Sequence, residues 1–221
     1  MSRTFIIGDI HGCCKTFKKC VLEKINIKKS DKIYCLGDYI DRGPDSKGVI
    51  DFILKLRQEG YKIHTLRGNH EELLLNSGYD KKSFLNWTRN GGKETLSSFK
   101  IDSISKLSPI YINFFKRTKF WIETKDFMLT HAGLNFIIEN PLCDKYSMLW
   151  ERNFIVNNNY LKGKILIHGH TVLSREVILS QKFESPYNLD GGCVFKKRMD
   201  AGILFALNFY ERQLIEVKNI D

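Results

Sequence analysis

Over the first third of the chain, short β-favouring runs alternate with stretches of helical periodicity. Thr4 to Ile7, Lys32 to Leu36 and Lys62 to Leu66 are rich in Ile, Leu, Tyr and Thr and read as short strands. Between the first two runs, Phe17, Cys20, Val21 and Ile25 recur at three-to-four spacing. Between the second and third, Val49, Ile50, Ile53, Leu54 and Leu56 do much the same. Strand, helix, strand, helix, strand predicts a parallel α/β unit. Right-handed crossovers then put the carboxyl ends of the three strands on one edge of a sheet, where ligands of such folds bind.

From Glu71 to about Phe115 the pattern is helical, broken at Asn90-Gly91-Gly92 and at Pro109. Trp87, Leu96, Phe99, Ile104 and Leu107 are the expected inward-facing groups of a packed helical insert. The texture then changes. Phe120 to Ile122, Phe127 to Thr130, Lys164 to His168, Arg175 to Leu179, Tyr187 to Asp190, Gly202 to Phe209 and Gln213 to Val217 read as strands, with Tyr210-Glu211-Arg212 as the turn of a final hairpin. Asn135 to Tyr146 and Asn153 to Lys162 carry turn formers and little periodicity, and read as loops or short irregular helices. No repeat, low-complexity tract or linker divides the chain, so one α/β domain with two sheets over residues 1–221 is expected.

At 221 residues such a domain buries a core without disulfide staples, and no apolar run is long enough to span a bilayer. The six cysteines show no C-x-x-C pairing, and Met1 to Ile7 leads straight into polar motifs with no secretory pattern. A reducing, cytoplasmic setting with free thiols is the expectation. Lys and Arg number 35 against 25 Asp and Glu, a formal charge of +10 that favours anionic partners without naming one.

Candidate chemistry lies in five short motifs: Gly8-Asp9-Ile10-His11-Gly12, Gly37-Asp38-Tyr39-Ile40-Asp41-Arg42-Gly43, Arg67-Gly68-Asn69-His70-Glu71, His131-Ala132-Gly133 and His168-Gly169-His170-Thr171. They hold five of the six histidines, and four of them follow an apolar run. Asp9 and His11, two apart at a strand end, share a face if the backbone stays extended, and a carboxylate beside an imidazole suits Mn, Fe or Zn better than Ca. Asp38, with two oxygens, is the economical bridge between two cations. Asn69, His131 and one of His168 or His170 then complete a second site, and spacing does not choose between the two histidines. Two cations about 3.5–4 Å apart form a clamp for in-line attack on phosphorus. His70, next to Asn69 and turned the other way in an extended segment, suits a proton donor oriented by Asp41. Arg42 and Arg67 carry planar forks that match phosphate oxygens.

In order and spacing these motifs resemble the phosphoprotein phosphatase family of calcineurin-like metallophosphoesterases, in the short bacterial and phage form. The likeness runs from Asp9 to about Asp190. It implies an αββα sandwich of two mixed sheets flanked by helices. It also implies two divalent metals, commonly Mn, with Fe or Zn as alternatives. Gly169-His170-Thr171 matches the family's Gly-His-Thr, so His170 is the implied ligand. One metal would be held by Asp9, His11 and Asp38, the other by Asp38, Asn69, His131 and His170. Trp150-Glu151-Arg152 supplies a third phosphate-binding arginine, Arg152, beside Arg42 and Arg67. The implied reaction is attack by a metal-bridging hydroxide on a serine or threonine phosphomonoester of a protein, with His70 as general acid and no covalent intermediate; tyrosine phosphate is a further option. A symmetric dinucleoside tetraphosphate hydrolase is the alternative, and a non-catalytic protein that binds nucleic acid or an acidic partner a remoter one. Neither a membrane nor a regulatory subunit is implied.

Overall fold

The computed structural model describes residues 2–221. Two mixed sheets lie face to face between layers of helices. The first has the order β3-β2-β1-β8-β9: β1 (Thr4–Ile7), β2 (Lys32–Cys35) and β3 (Lys62–Thr65) run parallel, and β8 (Ile203–Asn208) and β9 (Gln213–Lys218) close it with antiparallel pairs. The second has the order β4-β5-β6-β7: β4 (Trp121–Glu123) pairs antiparallel with β5 (Phe127–Thr130), while β6 (Ile165–His168) and β7 (Tyr187–Asn188) continue it in parallel.

The sandwich follows from the two-residue period of a strand. In β8, Ile203, Phe205 and Leu207, together with Ile6 of the neighbouring β1, face the other sheet, where they meet Phe127 and Leu129 of β5 and Ile167 of β6. Leu204 and Ala206, one residue out of phase, face the opposite side with Phe5, Ile7 and the apolar stripes of the helices. These helices are α1 (Cys14–Lys19), which runs into a π-helical turn at Cys20–Lys24, and α2 (Ser46–Gln58), capped by the Asp45 carboxylate on the Gly48 N–H at 2.8 Å. Met128 and Leu166 face outward from the second sheet against Leu134, Met148 and Leu161. Each such side chain contributes about 1.5–3 kcal/mol by leaving water.

The insert is helical and packed, as expected: α3 (Asn69–Asn76), α4 (Lys81–Trp87), α5 (Lys93–Phe99) and α6 (Pro109–Lys116). Asn90-Gly91-Gly92 forms the break between α4 and α5, with Gly91 at φ 111°, and Pro109 opens α6 at its first turn, where its missing N–H costs nothing. Of the two segments read as loops or short irregular helices, Asn135 to Tyr146 runs into α7 (Lys145–Trp150), capped by Asp144, and Asn153 to Lys162 holds α8 (Asn158–Leu161), capped by Asn157.

One element differs in type from its prediction. Arg175 to Leu179, read as a strand from Val177, Ile178 and Leu179, lies in helix α9 (Arg175–Ser180). The Ser174 hydroxyl accepts from the Val177 N–H at 3.3 Å, Glu176 sits in the first turn, and only Ile178 is buried, so local capping outweighs the β-branched composition. Among the described residues all six cysteines are unpaired, five of them buried, and no helix is long and apolar enough to cross a membrane.

Candidate active site

The motifs meet where strands end. Asp9 and His11 follow β1, Asp38 to Arg42 follow β2, Asn69 and His70 follow β3, His131 follows β5 and His170 follows β6, so both sheets contribute to one pit. Five of these residues, His11, Asp38, Asp41, Arg42 and His170, have positive φ between 46° and 70°. Non-glycine residues visit that region at a cost that only the surrounding structure sustains, and such strain collects at functional sites. The extended backbone that would align Asp9 with His11 is therefore absent, because His11 has φ 46° and the chain turns. Both side chains reach the pit by a tight turn. Nor is the Asn69-His70 segment extended. Gly68 is the N-cap of α3, and the two residues are its first helical positions, about 100° apart around the axis.

Asp38 lies at the centre. Its Oδ2 is 3.4 Å from His11 Nε2 and 3.5 Å from His131 Nε2, and its Oδ1 accepts the His70 backbone N–H at 3.1 Å. Ligand atoms of His11, Asp38 and His70 lie within 4.8 Å of one another, and so do those of Asp38, His131 and His170, so two clusters share one carboxylate. Asn69 Oδ1 joins the second cluster, 3.0 Å from both His131 Nε2 and His170 Nδ1. Asp9, expected beside His11 and Asp38, is in neither cluster, and its Oδ2 accepts the His170 backbone N–H at 3.0 Å. Two glycines leave room for these carboxylates. A Cβ at Gly68 would stand 2.1 Å from Asp38 Oδ1, and one at Gly169 2.1 Å from Asp9 Oδ1.

Residues 2–189 match the calcineurin-like phosphoesterase family, which is most of the chain. The chain belongs to that family. A serine/threonine-protein phosphatase 1 from Salmonella typhimurium is 28% identical over 202 residues, which cover 86% of this chain and 87% of the relative. A symmetrical bis(5'-nucleosyl)-tetraphosphatase from Wigglesworthia glossinidia brevipalpis is 47% identical over 72 residues, 32% of this chain and 25% of the relative. A solved structure provisionally described as a diadenosine tetraphosphatase superposes with a TM-score of 0.67 at 23% identity, over 98% of this chain and 93% of its own, a likeness of fold.

Calcineurin-like phosphoesterases use a dinuclear divalent metal site, and the donor set here fits one. His11 and His131 each present Nδ1 to a backbone carbonyl, Ile40 O at 2.9 Å and Leu36 O at 3.0 Å, which orients both Nε2 lone pairs into the pit. Burial lowers both imidazoles, His11 to about 3, and with His131 and Arg152 nearby it lowers His170 to about 3 as well. Neutral imidazole is the form that ligates. Asp9 Oδ1 and His170 Nε2 are buried without a hydrogen-bond partner. Burial, then the charges of Asp190 and Asp38, push Asp9 well up, the response of a carboxylate in a negative site that a cation would relieve. Burial would also raise Asp38, but the imidazoles of His131, His70, His11 and His170 outweigh it and lower the group.

Around the pit, Glu71 accepts the N–H groups of Asp38, Tyr39 and Gly68 at 2.8, 2.9 and 2.8 Å, tying the second motif to the third. His70 Nδ1 is 2.7 Å from Asp41 Oδ2, both buried. Arg42 Nη1 lies 2.8 Å from His11 Nε2, and Arg152 donates to the His170 carbonyl at 3.2 Å, so both arginines border the pit. Arg67 does not. Its guanidinium is committed to Glu72 at 2.9 Å, to the carbonyls of Phe115 and Lys116 and to the Thr118 hydroxyl, and it stacks over Phe120. His168 is also outside both clusters, its Nδ1 3.0 Å from Gly169 O and its ring edge-on to Phe154.

Three residues carry more than sequence reasoning assigns them. Asp190, given no role, is pushed up to about 6 by burial with a contribution from Asp38, and its own charge raises Asp9. Its signal is an Asp-Gly-Gly run at a strand end. Trp87 and Thr95, one read as a core group and the other unremarked, both bond to Asp41. No local pattern marks that contact, since it spans more than forty residues of chain.

Proposed function

We propose that this calcineurin-like phosphoesterase is a protein phosphatase acting on phosphoserine and phosphothreonine. The observation that carries the reading is the buried His70–Asp41 pair, 2.7 Å apart, with His70 beside His11 and Asp38 in the first cluster. A serine or threonine alkoxide is a poor leaving group and needs a proton as it departs. A nucleoside polyphosphate leaves as a stabilised anion and needs it far less. The 28% identity to a serine/threonine-protein phosphatase over 87% of that relative's length supports the same reading.

In this reading Asp9, His11 and Asp38 would hold one divalent cation, and Asp38, Asn69, His131 and His170 the other, with Mn as the expected metal. When bound, the pair supplies a water nucleophile at neutral pH and neutralises phosphoryl charge. Arg42 and Arg152 orient the phosphate through charge-assisted hydrogen bonds that strengthen as charge builds on its oxygens. His70, with Nδ1 committed to Asp41, is left with Nε2 to donate a proton to the departing oxygen. Arg67 joins the phosphate only if Glu72 releases it; in this geometry it holds α3 against α6.

The 47% identity to a symmetrical tetraphosphatase over 72 residues favours a second reading, hydrolysis of a dinucleoside tetraphosphate. The deciding experiment titrates Mn into metal-free protein and follows turnover of a phosphoserine peptide and a dinucleoside tetraphosphate in parallel. Faster turnover of the peptide is expected, and turnover of the nucleotide alone would replace the first reading with the second.

A further inference from the structure

Asp41 is fully buried, and burial of a carboxylate raises the energy of its charged form unless donors surround it. Three side-chain donors converge on its two oxygens. His70 Nδ1 is 2.7 Å from Oδ2, Trp87 Nε1 straddles Oδ2 and Oδ1 at 3.0 and 3.2 Å, and the Thr95 hydroxyl lies 2.6 Å from Oδ1. Thr95 Oγ1 acts twice, since it also accepts the Asp41 peptide N–H at 2.9 Å, and Ser46 Oγ stands 3.0 Å behind it. The hydroxyl thus holds both the side chain and the strained backbone of Asp41, which has φ 70°.

Trp87 ends α4 and Thr95 lies in α5, so the clamp depends on the break between them. Gly92 packs under the Trp87 ring, where a Cβ would come within 2.5 Å of Cε2. Gly91, at φ 111°, turns its carbonyl to the Arg42 N–H at 3.2 Å. The Asn90-Gly91-Gly92 run that interrupts the helical pattern is what docks the insert on the Asp41-Arg42 turn.

We propose that Trp87 and Thr95 are positioning residues for the proton donor: they fix the Asp41 carboxylate so that it holds His70 on the line of the leaving oxygen. This rests on His70 acting as the donor in the reading above. It gives the helical insert a part in the reaction, since two of its helices supply the groups that aim His70. Packing alone would not distinguish one substrate from another. Aiming a proton does, because an alkoxide needs the proton and a nitrophenolate hardly does.

The test compares Thr95→Val, Thr95→Ser and Trp87→Phe in Mn-reconstituted protein. The readouts are kcat and KM on a phosphoserine peptide and on p-nitrophenyl phosphate, metal content, and the low-field proton resonance of the His70–Asp41 hydrogen bond in metal-free protein. Thr95→Val and Trp87→Phe are expected to lose about tenfold in kcat on the peptide and less than about twofold on the aryl ester, part of the 10²–10⁴ that general acids contribute. KM and metal content hold, the low-field resonance shifts, and Thr95→Ser restores the peptide rate. Equal losses on both substrates, or no loss on either, would overturn the proposal. Should Thr95→Val not fold, Trp87→Phe decides alone by the same criteria. His70→Asn run alongside separates the failures. If it loses peptide turnover selectively while the clamp variants do not, the clamp is wrong and the donor stands. If it slows both substrates alike, the donor assignment itself is wrong.

Discussion

Asp38 and Asp41 stand at opposite ends of one turn, both buried and both with positive φ, yet their surroundings oppose each other. Asp38 is ringed by His11, His131, His70 and His170, which together hold its carboxyl well below the usual carboxylate range. Asp41 meets a single imidazole and otherwise the neutral donors of Trp87 and Thr95, and burial leaves it raised. One carboxylate lies among the candidate metal-ligating groups and the other reaches them only through His70. In the proposed reading, the contrast separates a group that would bridge cations from a group that would aim a proton donor, within four residues of chain.

The widest break in that contrast comes from Asp38→Asn. It removes the charge shared by both clusters while keeping the shape, so both metals are expected to bind weakly and turnover to fall on the order of a thousandfold, beyond the 10–100-fold typical of a mere supporting partner. Metal content after gel filtration and kcat on a phosphoserine peptide check it. Two tightly bound metals in the variant would end the bridging assignment.

At the other end of the turn, His70→Asn is expected to keep both metals and lose about a hundredfold in kcat on the peptide, with a much smaller loss on p-nitrophenyl phosphate. The two variants therefore sharpen the comparison from opposite sides: one loses metal and all substrates, the other keeps metal and loses the substrates that need a proton.

Much of this arrangement is legible in the chain itself. Short apolar runs ending in Gly-Asp, Gly-Asn and His-Gly place candidate ligands at strand ends, since parallel crossovers leave those ends on one edge. Local backbone shape and distant contact are not legible there. Alternation relates Asp9 to His11, and Asn69 to His70, only where the chain is extended, whereas His11 is left-handed and α3 begins at Asn69. Arg67 reads like Arg42 in sequence, and only the fold shows Glu72 five residues on and the α6 carbonyls occupying its fork. Arg175 to Leu179 has strand composition but a serine cap that sets its geometry. Trp87 and Thr95 carry no motif because their partner lies in a different element.

A carboxylate remote from the pit sharpens the comparison on its structural side. Asp31 is also buried, and its oxygens accept from Arg3 Nη2 at 2.6 Å, from the Lys28 N–H at 2.8 Å and from the Arg3 backbone N–H at 3.3 Å. Burial opposes its charge, but the Arg3 and Lys28 donors outweigh it and hold the carboxyl below its ordinary value of 3.8. With the folded-state value depressed, the stabilisation is fully present above about pH 4, the unfolded value, and is lost as pH falls through the folded one. Asp31→Asn is therefore expected to cost about 2 kcal/mol at pH 7, roughly 4–8 °C in melting temperature, with metal content and turnover unchanged. The gap between wild type and variant should narrow as pH drops below about 4. Both proteins carry the same metal-binding groups, so the pH dependence of that site cancels in the difference. A gap that stays constant down through that range would mean the Asp31 contacts hold the β1–β2 edge by shape and not by charge. Donors alone would then not explain how Asp41 is kept in place.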